Sequence, residues 1–82
     1  MLYLINGKKV IFTTHSLERI KKRGLTEAWV FDIIKNHSKA LPKQADNTQE
    51  FRQQRSGNWY YVVIEHKKSV IIVITAGESG KP

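Results

Sequence analysis

Cysteine is absent from this chain, so neither a disulfide nor a thiolate metal site can be part of its design. No apolar run approaches the ~20 residues of a membrane span. The opening Met-Leu-Tyr-Leu-Ile-Asn-Gly is broken too soon to read as a signal peptide, and a cytoplasmic protein with no membrane partner is expected. There is no Gly-rich phosphate loop, no His-Glu-x-x-His helix and no serine nucleophile elbow. The histidines are scattered and no carboxylates cluster, so the economical expectation is chemistry without metal or cofactor. Acid is scarce as well. Seven Asp and Glu face 14 Lys and Arg, a formal charge of +7. Such an excess attracts polyanions, nucleic acid first and an acidic protein second. The plainer reading is that the charge only keeps a small domain soluble.

What is present suffices for one core. The chain has 82 residues, 40% of them apolar, with two Trp, three Tyr and three Phe. That supports a single thin hydrophobic core and argues against wholesale disorder.

Asn6-Gly7 lies between two strand-like runs, which predicts a β-hairpin over residues 2–12. Thr13-Thr14 can cap a helix over 15–23, ended by Gly24. Its polar face carries His15, Arg19 and Lys22 with Arg23 close by, and Glu18 is spaced to pair with Lys22. Thr26 then caps a second helix over 27–37, with Leu25 and Val30 placed as a hydrophobic staple. Trp29, Val30, Ile33 and Ile34 form its apolar face, while Asp32, Lys35 and Asn36 point away. Residues 38–48 lack periodicity and read as a long loop. Strands are expected over 49–55, 59–65 and 70–75, with turns at 56–58 and 66–68. Residues 76–82 read as a flexible polar tail on a single domain spanning 1–75. The expected fold class is α+β: a β-hairpin, an αα-hairpin, then a three-stranded antiparallel meander. The helices would pack on one face of an antiparallel sheet, leaving the other face open.

The segment from Thr14 to Leu25, with His15, Arg19 and Arg23 at four-residue steps before Gly24, resembles the opening of a bacterial domain-of-unknown-function family. The resemblance runs from about residue 12 to residue 75. That family is similar to the RelE-like ribonuclease toxins of the barnase–EndoU–colicin–RelE fold group. The resemblance implies a metal-independent endoribonuclease of a toxin–antitoxin type system. RNA, free or ribosome-bound, would be its substrate and an acidic antitoxin its protein partner. The alternative is a non-catalytic basic module for RNA or for an acidic protein.

RNA brings its own nucleophile, the 2′-OH, so the protein has to position the strand, move protons and hold phosphate oxygens. On that reading His15 is the candidate acid or base and Arg19 and Arg23 are phosphate clamps, with Lys22 beside them. The same residues suit plainer roles. His15 can be a surface residue, Arg19 and Arg23 can cover apolar surface or pair with Asp32 or Glu50, and Arg23 can bond the last helix carbonyls. Fold analogy asks for an Arg on the open sheet face. Arg52 and Arg55 point to opposite faces by strand alternation, and the sequence leaves open which is exposed there. Arg52 is taken as catalytic together with His15 and Arg19, and Arg55 and Thr75 as RNA-binding together with Arg23 and Lys22. Trp59, Tyr60 and Tyr61 are candidates for base stacking, although alternation sends about half of them into the core. His37 is expected to cap helix carbonyls, and His66 with Lys67-Lys68 to form a solvated turn.

Overall fold

A computed structural model describes residues 2–80. The N-terminal hairpin forms as β1 (Leu4–Ile5) and β2 (Lys8–Phe12). Asn6 and Gly7 both take positive φ, 51° and 79°, the pair of values a two-residue primed turn demands. Helix α1 (Thr14–Lys22) follows at once. Thr13 caps it by accepting from the Ser16 N–H at 3.0 Å, and the buried Ser16 hydroxyl returns a bond to the Thr13 carbonyl at 2.9 Å. The helix closes where Gly24 turns to φ +75°, letting the Leu25 N–H reach back to the Ile20 carbonyl at 2.9 Å. The Glu18–Lys22 pair is not among the ion pairs of the described residues.

Helix α2 (Glu27–Lys35) is capped by Thr26, which accepts from Trp29 N–H at 3.1 Å. The staple residues Leu25 and Val30 are both buried. The helix stops two residues short of the expected 37. His37 lies beyond its end, with Nδ1 2.9 Å from the Ile34 carbonyl and its ring 4.7 Å from Phe51.

Three expectations need correction. The stretch 38–48 is not wholly loop: Lys39–Ala40 forms β3 against β4 (Thr48–Arg55). A two-residue strand of Lys and Ala carries no pattern, and it exists because the edge of β4 offers unpaired backbone groups. Residues 76–78 are not tail. After β5 (Asn58–His66), strand β6 runs from Val70 to Glu78, and Ala76 and Gly77 are buried in it opposite Val62 and Tyr61. Residues 81–82 lie outside the described residues. Finally, the sheet is mixed. Its order is β1-β2-β6-β5-β4-β3, and β2 runs parallel to β6 while every other pairing is antiparallel. Pairing direction is set by where the helices and meander return the chain, which local alternation does not encode.

One sheet face is dry. Val10, Phe51, Val62, Ile64, Ile71, Val73 and Ala76 meet Ile20, Leu25, Val30, Ile33 and Ile34 from the helices. Burial of each Val, Leu, Ile or Phe among them contributes about 1.5–3 kcal/mol. Helix α1 packs against β6, and α2 against β4 and β5. The register of β2 on β6 ends at Phe12 opposite Val73, where the chain turns into α1. A register shift at Val63/Ile64 sets Val63 opposite Thr75 and Ile64 opposite Val73, leaving Ile74 as an extra residue.

Candidate nucleic-acid interface

Strand alternation decides what the second sheet face carries. On β4 it is Glu50, Arg52 and Gln54; on β5, Trp59, Tyr61 and Val63; on β6, Thr75 and Gly77. Tyr61 sits between Arg52 on one side and Gly77 on the other. Neither Trp59 nor Tyr61 belongs to the core or its margin, whereas Tyr60 points inward and packs on Trp29 with ring centroids 4.7 Å apart.

Two arginines reach this face from different elements. Arg52 is held from below: its Nε donates to Glu50 Oε2 at 2.6 Å. Both of its terminal nitrogens are left without a protein partner among the described residues. Arg23, from the end of α1, extends over β6. Its Nη1 lies 2.7 Å from the Ala76 carbonyl, 3.1 Å from Thr75 Oγ1 and 3.4 Å from Tyr61 Oη. One nitrogen is thus anchored and the other two remain for a ligand. Anchored arginines with open forks suit phosphate oxygens, because the side chain is already ordered and the planar donors are aimed outward.

Gly77 explains how the two side chains fit. A Cβ there would stand 3.1 Å from Tyr61 Oη, 3.2 Å from Tyr61 Cε1 and 3.3 Å from Arg23 Cδ. The phenol ring and the arginine stem therefore lie down on bare backbone. Beside them is a pocket of about 240 Å³ lined by Glu50, Arg52, Tyr61, Glu78 and Ser79.

The residues singled out in the sequence divide into three places. Arg23, Arg52 and Thr75 come together on the open face. His15, Arg19 and Lys22 remain exposed on α1, and their side chains make no hydrogen bond among the described residues. His15 and Arg23 are separated by about 12 Å of helix axis, at ~1.5 Å per residue. Arg55 goes to the helix side of the sheet, where its guanidinium lies 5.0 Å from the Trp29 ring. The question between Arg52 and Arg55 is therefore answered by the register of the Ser56-Gly57 turn, which pairs Arg55 with Asn58. Neither Arg19 nor Arg23 pairs with Asp32 or Glu50. Arg52 takes Glu50, while Asp32 accepts from Gln53 and Asn36.

Gly77 and Glu78 were not legible as site residues, because they fall where the composition reads as tail. The signal that finds them is the pairing of β6 with β5, a tertiary fact. His66 is also more than a turn residue: its Nε2 lies 2.7 Å from Gln49 Oε1. Burial, and then Lys43 and Lys8, hold its pKa below the usual histidine value. Among the described residues no three His, Asp or Glu side chains gather closely enough to hold a metal ion, and no helix is long and apolar enough to cross a membrane. Comparison of the chain with protein-family models, curated proteins and solved structures finds no match.

Proposed function

We propose that this protein binds RNA across the open sheet face, with phosphates held by Arg52 and Arg23. The observation that carries this reading is the paired arginine anchorage. Glu50 pins Arg52 by Nε alone, and Arg23 is pinned by Nη1 alone, so two nitrogens of each guanidinium are left without a protein partner among the described residues. The exposed His15, Arg19 and Lys22 extend the cationic track along α1, and the charge of +7 supplies attraction at longer range. An acidic protein that covers this face would compete with RNA for it.

A second reading, cleavage, is favoured by what flanks the arginines. The Glu50 carboxylate lies at Arg52 and the Tyr61 hydroxyl at Arg23. In a metal-independent endoribonuclease of the toxin type, a carboxylate takes the 2′-OH proton as the oxygen attacks the adjacent phosphorus. The bond to the 5′-oxygen breaks, that oxygen gains a proton, and the products are a 2′,3′-cyclic phosphate and a 5′-OH end.

The test is incubation of the purified chain with labelled mixed-sequence RNA and with translating ribosomes, with EDTA added to the free-RNA reactions. Parent, Glu50→Gln and His15→Ala are compared, and binding is followed by gel retardation. Salt-sensitive retardation that weakens in Arg52→Gln supports the binding reading, and no retardation at any salt sinks it. Cleavage lost in Glu50→Gln and kept in His15→Ala locates the chemistry on the sheet. The reverse pattern locates it on α1.

A further inference from the structure

Phosphate contacts alone do not distinguish a single strand from a duplex. The groups between the two arginines do. Trp59 and Tyr61 stand on one face of β5 at alternate positions, outside the apolar core, and neither makes a ring–ring contact among the described residues. Large aromatics on a sheet face usually gain their stability from burial, and these two are only half-buried. Gly77 opposite Tyr61 removes the side chain that would prop the ring up, so the ring lies with Oη and Cε1 close to the Gly77 backbone, and the half-buried ring keeps part of its surface exposed. The neighbouring pocket of about 240 Å³ carries Glu50 and Glu78 against the single Arg52. With Glu50 already paired to Arg52, the Glu78 carboxylate is what remains beside the pocket to accept from the N–H groups of a neutral ring.

We infer that Tyr61 and Trp59 are base-stacking platforms, that the pocket beside Tyr61 takes a splayed-out base, and that the ligand is single-stranded RNA. The inference rests on the RNA-binding reading and narrows it. In a duplex the bases are stacked on one another and their faces are closed to side chains, while an unpaired strand can lay successive bases on aromatic rings. The strand would run with its sugar–phosphate edge along Arg52 and Arg23 and its bases down on β5.

The experiment is fluorescence anisotropy with a fluorescein-labelled mixed-sequence RNA strand, the same strand in a duplex, and a strand of matched length with abasic sites throughout. Each is titrated with the parent chain, Tyr61→Leu, Tyr61→Phe and Trp59→Leu. Expected is a preference for the single strand over both the duplex and the abasic strand. Tyr61→Leu should weaken single-strand binding about ten-fold, and Tyr61→Phe should recover most of that loss, since it restores the π face and lacks only the hydroxyl near Arg23. The slope of log affinity against log salt should be unchanged in Tyr61→Leu, because no phosphate contact is removed. Equal binding of intact and abasic strands by the parent overturns the stacking inference without depending on any variant's folding, and leaves RNA binding standing. Failure to bind any of the RNAs removes the RNA reading itself. A parent chain that sediments as a dimer, and that Tyr61→Leu turns into a monomer, would assign the face to a second copy and overturn the inference.

Discussion

Gln53 is buried in the layer between β4 and α2, where its Nε2 donates to Asp32 Oδ2 at 3.0 Å. That bond, then one from Asn36, holds the Asp32 carboxyl below its ordinary value, with Arg55 and Lys35 adding to the effect. A carboxyl with a lowered folded-state pKa stabilises the native state above its unfolded value, and the contribution is lost as pH falls through the folded value. Gln53→Leu should raise the Asp32 pKa, seen by NMR titration of its side-chain carbonyl, and should flatten the acid limb of stability. His66 works in the same direction at higher pH. Its folded pKa is depressed by burial and by Lys43 and Lys8, so the unfolded chain binds the proton first. Stability should be full above the unfolded histidine value of about 6.5 and should decline as pH falls from there towards the folded value. Denaturant unfolding at a series of pH values, with His66→Gln as the comparison, checks this, and the variant should lack that step. Neither interaction is legible in the sequence. Gln53 and Asp32 are 21 positions apart, and Asp32 reads from helical spacing as a residue pointing away.

At the scale of elements, the local chemistry of helix ends is what the sequence encodes best. Thr13, Thr26 and Gly24 act through atoms within a few residues, so their roles follow from the chain itself. Thr13→Ala should cost about 1 kcal/mol in chemical denaturation. Gly24→Ala should cost about 1–2 kcal/mol, because its φ of +75° disfavours any Cβ while the space around it is open and adds no clash. Gly77→Ala is a different case. Its backbone is ordinary strand, but a new Cβ meets Tyr61 and the Arg23 stem within 3.3 Å. Both must lift off the sheet, so the loss should appear in RNA affinity more than in thermal stability. A binding titration run beside a thermal melt checks that division. The two-residue β3 and the extension of β6 to Glu78 have no such local signature, since both depend on a neighbouring strand that is distant in sequence.

For the molecule as a whole, the decisive quantity is charge on a small body. With +7 over 82 residues, association with RNA should fall steeply with salt. For a single strand the slope of log affinity against log salt is about −0.7 per phosphate neutralised. Removing Arg52 by Arg52→Gln should reduce the slope by roughly that one contact. Arg55→Gln should leave it unchanged, because Arg55 lies against Trp29 on the other side of the sheet. Affinities measured across a salt series for the two variants test the assignment of faces directly. The two differ by three positions in sequence, and only the register of the hairpin between β4 and β5 tells them apart.

The amino-acid order alone determined what depends on near neighbours and on totals: the Asn6-Gly7 turn, both helices with their caps, the three long strands, the absence of thiol chemistry and the cationic excess. The turn and the caps are fixed by φ preferences and short-range hydrogen bonds, the strands are signalled by β-branched and aromatic patterning, and the rest follows from composition. The tertiary structure decided the rest. It set β2 parallel to β6, carried β6 through Ala76 and Gly77, turned Tyr60 inward and Tyr61 outward, and brought Arg23 over the sheet to meet Thr75 while leaving His15 on the helix. Each of these follows from a long-range pairing or a strand register, where a shift of one residue exchanges the two faces of a strand.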